Sequence, residues 1–211
     1  MTSDIEDYIE AHISPQPVYL RDVERITNLN YLNGRMCSGH IQGRLLKMLV
    51  AMAKPKRVLE LGTFTGYSAL CIAEGLDDDG TIDTIESNDE MEEVILSNFS
   101  KSPYIDKIRL HIGNALDLLD LWHGNEFDMA LIDADKREYD LYFEKVLKLI
   151  KPGGFILADN TLWDGHVMEQ SKHSPQTQGI MKFNDEVMKC LQVEVAIIPI
   201  RDGLTIIRKK N

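Results

Sequence analysis

Cysteine is scarce in this 211-residue chain: Cys37, Cys71 and Cys190 are an odd number, and no two stand in a Cys-x-x-Cys spacing. That excludes the disulfide framework of a small secreted domain and withholds the thiolate pairs of a structural zinc site. We read the three as reduced thiols in a cytoplasmic protein. Positive charge is short as well. Lys and Arg number 23 against 34 Asp and Glu, a formal net charge of −11. This balance disfavours non-specific attraction to nucleic-acid phosphates or anionic membranes, without excluding a local basic patch. No apolar run approaches the ~20 residues of a membrane span. Met1 to Asp7 is acidic with no apolar core, so no secretory signal is expected. Also missing are internal repeats, low-complexity tracts, linkers, and the Gly-x-Gly-x-x-Gly of a pyrophosphate cradle.

What is present is ordinary globular composition, 44% hydrophobic and 27% charged, in a length that suits one domain over residues 1–211. Residues 1–54 read as a helical layer: Asp4 to His12, Val18 to Leu32 stopped by Asn33-Gly34, and a third helix with Ser38 as its cap, carrying Leu45, Leu46, Leu49 and Met52 and ended by Pro55. Residues 55–211 alternate strand and helix, the pattern of a parallel α/β sheet. Strands are expected at Arg57–Leu61, Thr81–Ile85, Ile108–Ile112, Phe127–Ile132 and Phe155–Ala158. Helices are expected through Ala73, over Asn88–Phe99, over Tyr139–Ile150 and over Gly179–Cys190. Val193–Pro199 and Gly203–Arg208 pair as a late antiparallel hairpin. The Asp77-Asp78-Asp79-Gly80 run is a solvated turn.

The chain is organised around Arg57-Val58-Leu59-Glu60-Leu61-Gly62-Thr63-Phe64-Thr65-Gly66-Tyr67-Ser68, a strand, an acid, a glycine turn and a helix start. Ligands of open α/β sheets bind beyond the carboxyl ends of the strands. Gly62 and Gly66 let backbone approach such a ligand, and Thr65 or Ser68 supplies capping hydroxyls. The acid within the motif speaks against a phosphate. Further polar residues recur at strand ends: Glu86, Asn114, Asp133, Asp159 and Asn160. Charge is costly to bury without partners, so this recurrence marks a ligand-lined edge. Glu86, 26 residues past Glu60, is placed to accept from a ribose diol. Asn114 and Ala115 either wall an adenine or form a plain turn. Asp133, Asp159 and Asn160 offer hard oxygens from two strand ends and suit Mg²⁺. The histidines are scattered and read as surface or packing residues. Lys136, one turn after Asp133, reaches the same place as a candidate general base.

Glu60 to Ser68, Asp133-Ala134-Asp135-Lys136 and Asp159-Asn160-Thr161-Leu162-Trp163 together resemble the divalent-metal-dependent O-methyltransferases, which include caffeoyl-CoA and catechol O-methyltransferases and bacterial relatives. The likeness runs from about Met36 to Asp202-Gly203-Leu204. It implies an α/β, Rossmann-like class I methyltransferase: a seven-stranded, mostly parallel sheet with an antiparallel C-terminal hairpin strand, helices on both faces and extra N-terminal helices. It implies that Glu60, Gly62, Thr63, Gly66 and Ser68 hold S-adenosylmethionine around its methionine part, under a lid of Met36 and Ser38. Glu86 would take the ribose, with Ala115 and Asp135 on the nucleoside side. Asp133, Asp159 and Asn160 would bind Mg²⁺, or another divalent ion such as Mn²⁺ or Ca²⁺, with Lys136 as base. Two neighbouring hydroxyls chelating the ion favour the ionised oxygen, which attacks the sulfonium methyl in line. A homodimer is implied by resemblance only.

The acceptor is the open question. Trp163 stacks on a planar acceptor or serves as an apolar lid. Asp164 stands where plant relatives have asparagine. The acyl-CoA branch wants basic residues, for which Arg21, Arg25, Arg35 and Arg201 are candidates, but no concentrated basic run exists. A small catechol-like, hydroxylated aromatic acceptor is therefore the expectation. The alternative is tRNA carrying hydroxylated uridine, met by Arg35, Arg44, Lys47, Lys54, Lys56 and Arg57. A third reading, from a different class, is a non-catalytic S-adenosylmethionine-binding regulator.

Overall fold

The computed structural model describes residues 2–32, 34–124, 126–169 and 173–211. Seven strands form one sheet: β1 (Arg57–Leu61), β2 (Thr81–Glu86), β3 (Ile108–Ile112), β4 (Phe127–Ile132), β5 (Ile150–Ala158), β6 (Val193–Ile198) and β7 (Leu204–Lys209). Their order is β3-β2-β1-β4-β5-β7-β6. Pairing is parallel from β3 to β5, while β7 runs antiparallel to both β5 and β6. The architecture read from the sequence is the one observed. Order reverses between β1 and β4, the place where an open α/β sheet makes its ligand crevice.

Side chains alternate across a strand, so each strand feeds two cores. Leu59, Leu61, Ala130, Ile132 and Ile156 pack beneath α6 (Ala115–Leu119), α7 (Tyr139–Leu149) and α8 (Pro175–Lys189). Val58, Met129, Leu131 and Leu157 pack against α2 (Val18–Asn30), α3 (Gly39–Ala53), α4 (Tyr67–Gly75) and α5 (Glu92–Phe99). The first helix, α1 (Thr2–His12), touches α3 and contributes none of its described residues to either core. All three cysteines are free thiols, and among the described residues no helix is long and apolar enough to cross a membrane.

Several boundaries differ from the sequence reading, each for a local reason. The fifth strand begins at Ile150, because Ile150 already pairs with Phe127; the Pro152-Gly153-Gly154 segment makes an irregularity inside the strand instead of a break before it. α8 begins at Pro175, where the Ser174 hydroxyl accepts from Thr177 N and proline occupies the first turn. Ser38 occupies the N-cap position of α3, but its side chain makes no capping bond. The expected Asn88–Phe99 helix opens as a 3₁₀ turn capped by Asn88 and becomes α-helical at Glu92. α6 was not expected; Asn114 caps it by accepting from Leu116 N and Asp117 N. Of the expected Asn33-Gly34 stop, Asn33 lies outside the described residues.

Candidate active site

The sheet register explains why the polar residues meet. Leu61 pairs with Ile85 and Ile132, and Ile132 with Ala158. The next residue of each strand is still tied to its neighbour: Gly62 N to Ile85 O (2.9 Å), Asp133 N to Leu61 O (2.9 Å) and Asp159 N to Ile132 O (3.0 Å). Gly62, Asp133 and Asp159 therefore form one row at the carboxyl edge. A cleft of about 1460 Å³ opens above it.

On the β1–β2 side the turn Gly62–Gly66 is packed against the row itself. A Cβ on Gly62 would collide with the Asp133 carbonyl oxygen, so only glycine fits there. Glu86 is anchored by backbone, its Oε2 accepting from Phe64 N (2.8 Å) and its Oε1 from Asn88 N (2.9 Å), one bond to each oxygen. Glu60 shares a strand face with Val58 and is wholly buried. The Thr84 hydroxyl donates to it, and the Thr63 hydroxyl lies 2.6 Å from that of Thr84. Burial, with the Asp133 and Glu86 charges adding to it, pushes the Glu60 carboxyl up to about 8 against the pull of the Ser68 and Thr84 hydroxyls.

On the β4–β5 side Lys136 Nζ donates to Asp133 Oδ1 at 2.7 Å. Burial opposes the Lys136 ammonium, but the Asp133 carboxylate and the Tyr139 hydroxyl together outweigh it and shift Lys136 upward. Asp159 Oδ1 accepts from Asn160 N (2.8 Å), and its Oδ2 accepts from Gln42 Nε2 (2.7 Å). Burial and the nearby Asp133 charge push Asp159 up to about 6. The Tyr139 hydroxyl donates to the carbonyls of Asp159 (3.1 Å) and Ile132 (3.3 Å), bracing the loop from below. Asn160, Trp163 and Asp164 all have positive φ, at 59°, 48° and 51°, a conformation that costs non-glycine residues energy. The turn is held by the β6–β7 connection: Asp202 O accepts from Leu162 N (2.7 Å) and Trp163 N (3.1 Å), and Asn160 Nδ2 reaches Asp202 Oδ2 at 3.4 Å.

The expected lid and acceptor residues sit at the mouth. Met36 and Ser38 line the cleft with Trp163, Asp164 and Arg201, and α1 contributes Ile5, Glu6 and Ile9. Arg201 is committed to backbone: it donates to the carbonyls of Arg35 (3.0 Å), Cys37 (2.9 Å) and Ser38. It latches the segment before α3 to the β6–β7 turn. Asp135 lines the cleft too, but its carboxylate caps the following turn through Arg137 N (3.0 Å) and holds the Arg137 guanidinium, which keeps it below the usual range.

The O-methyltransferase family model matches residues 10–210. A caffeoyl-CoA O-methyltransferase of Zea mays is 34% identical over 96% of this chain and 83% of its own. Among solved structures, an O-methyltransferase from Bacillus cereus in complex with SAH superposes with a TM-score of 0.91 at 28% identity, covering 98% of this chain and 97% of that one. TomG, the O-methyltransferase of Streptomyces achromogenes involved in tomaymycin synthesis and solved with SAM, gives 0.91 at 26% identity, covering 99% and 96%. The chain belongs to the O-methyltransferase family. It is a SAM-dependent O-methyltransferase of the caffeoyl-CoA O-methyltransferase type.

In this O-methyltransferase the cleft gathers Gly62, Thr63, Ser68, Glu86 and Ala115 on one side and Asp133, Lys136, Asp159 and Asn160 on the other. Two expected residues do not line it. Glu60 lies buried beneath the floor, and Gly66 is the N-cap of α4, packed against the Phe99 ring. Sequence reasoning passed over Gln42, Tyr139 and Asp202. Tyr139 and Asp202 stand within a few residues of Lys136 and Arg201, and that nearness was the available signal. Gln42 had none, being 117 residues from its partner.

Proposed function

We propose that this enzyme transfers the methyl group of S-adenosylmethionine to a hydroxyl oxygen of a small catechol-like phenol, in a divalent-metal-dependent reaction with Lys136 as general base. The observation that carries this reading is the Lys136–Asp133 pair standing in one cleft with Asp159 and Asn160 from the adjacent strand end. The donors fit a hard cation. Asp159 is a buried carboxyl raised by the charge of Asp133, a repulsion that a cation relieves. Among the described residues no three His, Cys, Asp or Glu side chains converge on a metal position; in the proposed set two carboxylates are joined by the Asn160 amide. Asn160 spends its nitrogen on Asp202 and keeps its oxygen for that role. Asp133, Asp159 and Asn160 would hold the ion, which when bound favours ionisation of the acceptor hydroxyl.

The remaining roles belong to the chain's own groups. With the charge of Asp133 engaged elsewhere, the burial that already opposes the Lys136 ammonium favours the neutral amine, able to take the acceptor's proton. Glu86, anchored by two backbone N–H groups, presents a fixed acceptor to the ribose hydroxyls. Trp163 and the apolar mouth residues Ile5 and Ile9 provide flat contact for an aromatic ring. Of the four arginines considered for CoA phosphates, Arg201 is occupied by three carbonyls, which weakens the acyl-CoA reading, while Arg35 still lines the cleft.

The test offers labelled S-adenosylmethionine with a catechol panel, caffeoyl-CoA, and bulk tRNA from cells lacking hydroxyuridine methylation, each with and without EDTA. EDTA-sensitive labelling of catechols above the other acceptors is expected. Transfer that survives complete metal removal overturns the role given to Asp133, Asp159 and Asn160. Label in tRNA with feeble catechol turnover overturns the acceptor.

A further inference from the structure

Gln42 lies in the first turn of α3, is only 1% exposed, and does not line the cleft. Its Nε2 donates to Asp159 Oδ2 at 2.7 Å, while its Oε1 is buried with no hydrogen-bond partner. Leaving a buried acceptor unpaired costs about 1–3 kcal/mol. An apolar side chain of the same size would avoid that cost, so what the position gains comes from the nitrogen. That nitrogen meets the carboxylate from behind the floor. The other oxygen, Oδ1, takes the Asn160 N–H at 2.8 Å. One donor from the loop itself and one from a helix far away in sequence thus fix the carboxylate plane. Neither donor carries charge, so the carboxylate is oriented without being neutralised. Lys136 does the opposite to Asp133, supplying a full positive charge at 2.7 Å.

We infer that Gln42 is a positioning residue for the cation: its amide N–H sets the orientation in which Asp159 offers its oxygens, and so tunes the affinity of the site for a divalent ion. This inference rests on the cation site proposed above. Through it the helical layer before the sheet, which contributes none of the three proposed ligands, takes part in holding the metal.

The experiment titrates the whole 211-residue chain with Mn²⁺ alone, following free and bound ion by electron paramagnetic resonance, and measures SAH binding separately by calorimetry. Gln42→Met keeps length and apolar bulk without the donor; Gln42→Leu is the second variant if Met disturbs folding. Leu46→Val, in the same helix and fully buried, loses core volume without touching Asp159 and controls for general loosening of α3. Loss of an outer hydrogen-bond partner typically weakens metal binding ~10–100-fold. A rise in the Mn²⁺ Kd of about tenfold is expected for the Gln42 variants, with an altered line shape of the bound ion, SAH binding within about twofold, and Leu46→Val like wild type. If wild type binds Mn²⁺ and Asp159→Ala abolishes binding, but the Gln42 variants stay within about threefold of wild type, the inference fails and the cation site stands. A comparable weakening in Leu46→Val also overturns it. Absence of Mn²⁺ binding by wild type overturns both.

Discussion

Glu60 and Glu86 on one side, and Asp133 and Asp159 on the other, occupy the same edge of one sheet in different surroundings. On the first side the partners are local: the backbone N–H groups of Phe64 and Asn88 on Glu86, and hydroxyls from neighbouring strand ends around Glu60. On the second side, side chains join as partners, some of them remote: Lys136 on Asp133, Gln42 on Asp159 beside the Asn160 backbone N–H, and Asp202 on Asn160. Backbone donors cannot be exchanged by substitution and set fixed distances, which suits recognition of one invariant ligand. Side-chain partners can be tuned, which suits a centre where charge is handled and acceptors differ. The halves meet at Gly62, whose α-carbon lies against the Asp133 carbonyl.

If the halves carry separate tasks, Lys136→Met separates them most sharply. Loss of a positioned general base typically costs ~10²–10⁴ in rate. The catalytic rate should fall by that order while SAH binding, measured by calorimetry, stays within a fewfold of wild type. Equal losses in both would show that Lys136 holds the cleft together instead of moving a proton. Next in size is Gly179→Ala. The α8 backbone passes so close to the turn after Asp133 that a Cβ on Gly179 would collide with the Lys136 carbonyl oxygen and stand 2.8 Å from Arg137 Cα. Overpacking of this kind costs about 1–3 kcal/mol. The melting temperature should drop and turnover should fall further than SAH affinity, since the strain lands on the Lys136 side alone.

The same contrast decides how much was legible in the sequence. Acids at the ends of apolar runs marked Glu86, Asp133 and Asp159, because a strand's period and its terminal polar residue are local facts. The sheet and its hairpin followed from the alternation of such runs. α6 escaped notice because it is five residues long, too short to show helical periodicity. The start of β5 was hidden by Pro152, Gly153 and Gly154, which read as a stop although Ile150 pairs before them. Gln42, Gly179 and the latch made by Arg201 were illegible for a different reason. Each takes its meaning from a segment distant in sequence, and no spacing rule links Arg201 to Arg35 or Gln42 to Asp159. From the sequence Arg201 is a candidate for the phosphates of an acyl-CoA. Its partners are carbonyls.

The smallest effect concerns Glu60 and probes the β1–β2 half without any ligand. Its carboxyl is raised from an ordinary 4.5 to about 8, first by burial. The folded protein therefore holds this proton more tightly than the unfolded chain does. The stability it contributes is fully present below about pH 4.5 and is lost as pH rises through about 8. Asp159, raised only to about 6, has finished its own loss before that window closes, so the upper part of the curve isolates Glu60. In cofactor-free protein the melting temperature should decline between about pH 6.5 and 8.5. Glu60→Gln imitates the neutral carboxyl at every pH and should flatten that decline, leaving the variant more stable than wild type at the alkaline end by about 1 kcal/mol or more. A slope unchanged by the substitution would place the titrating group elsewhere. It would also mean that Glu60 is already ionised under the floor of the cleft, with the Thr84 hydroxyl on one oxygen and no hydrogen-bond partner on the other.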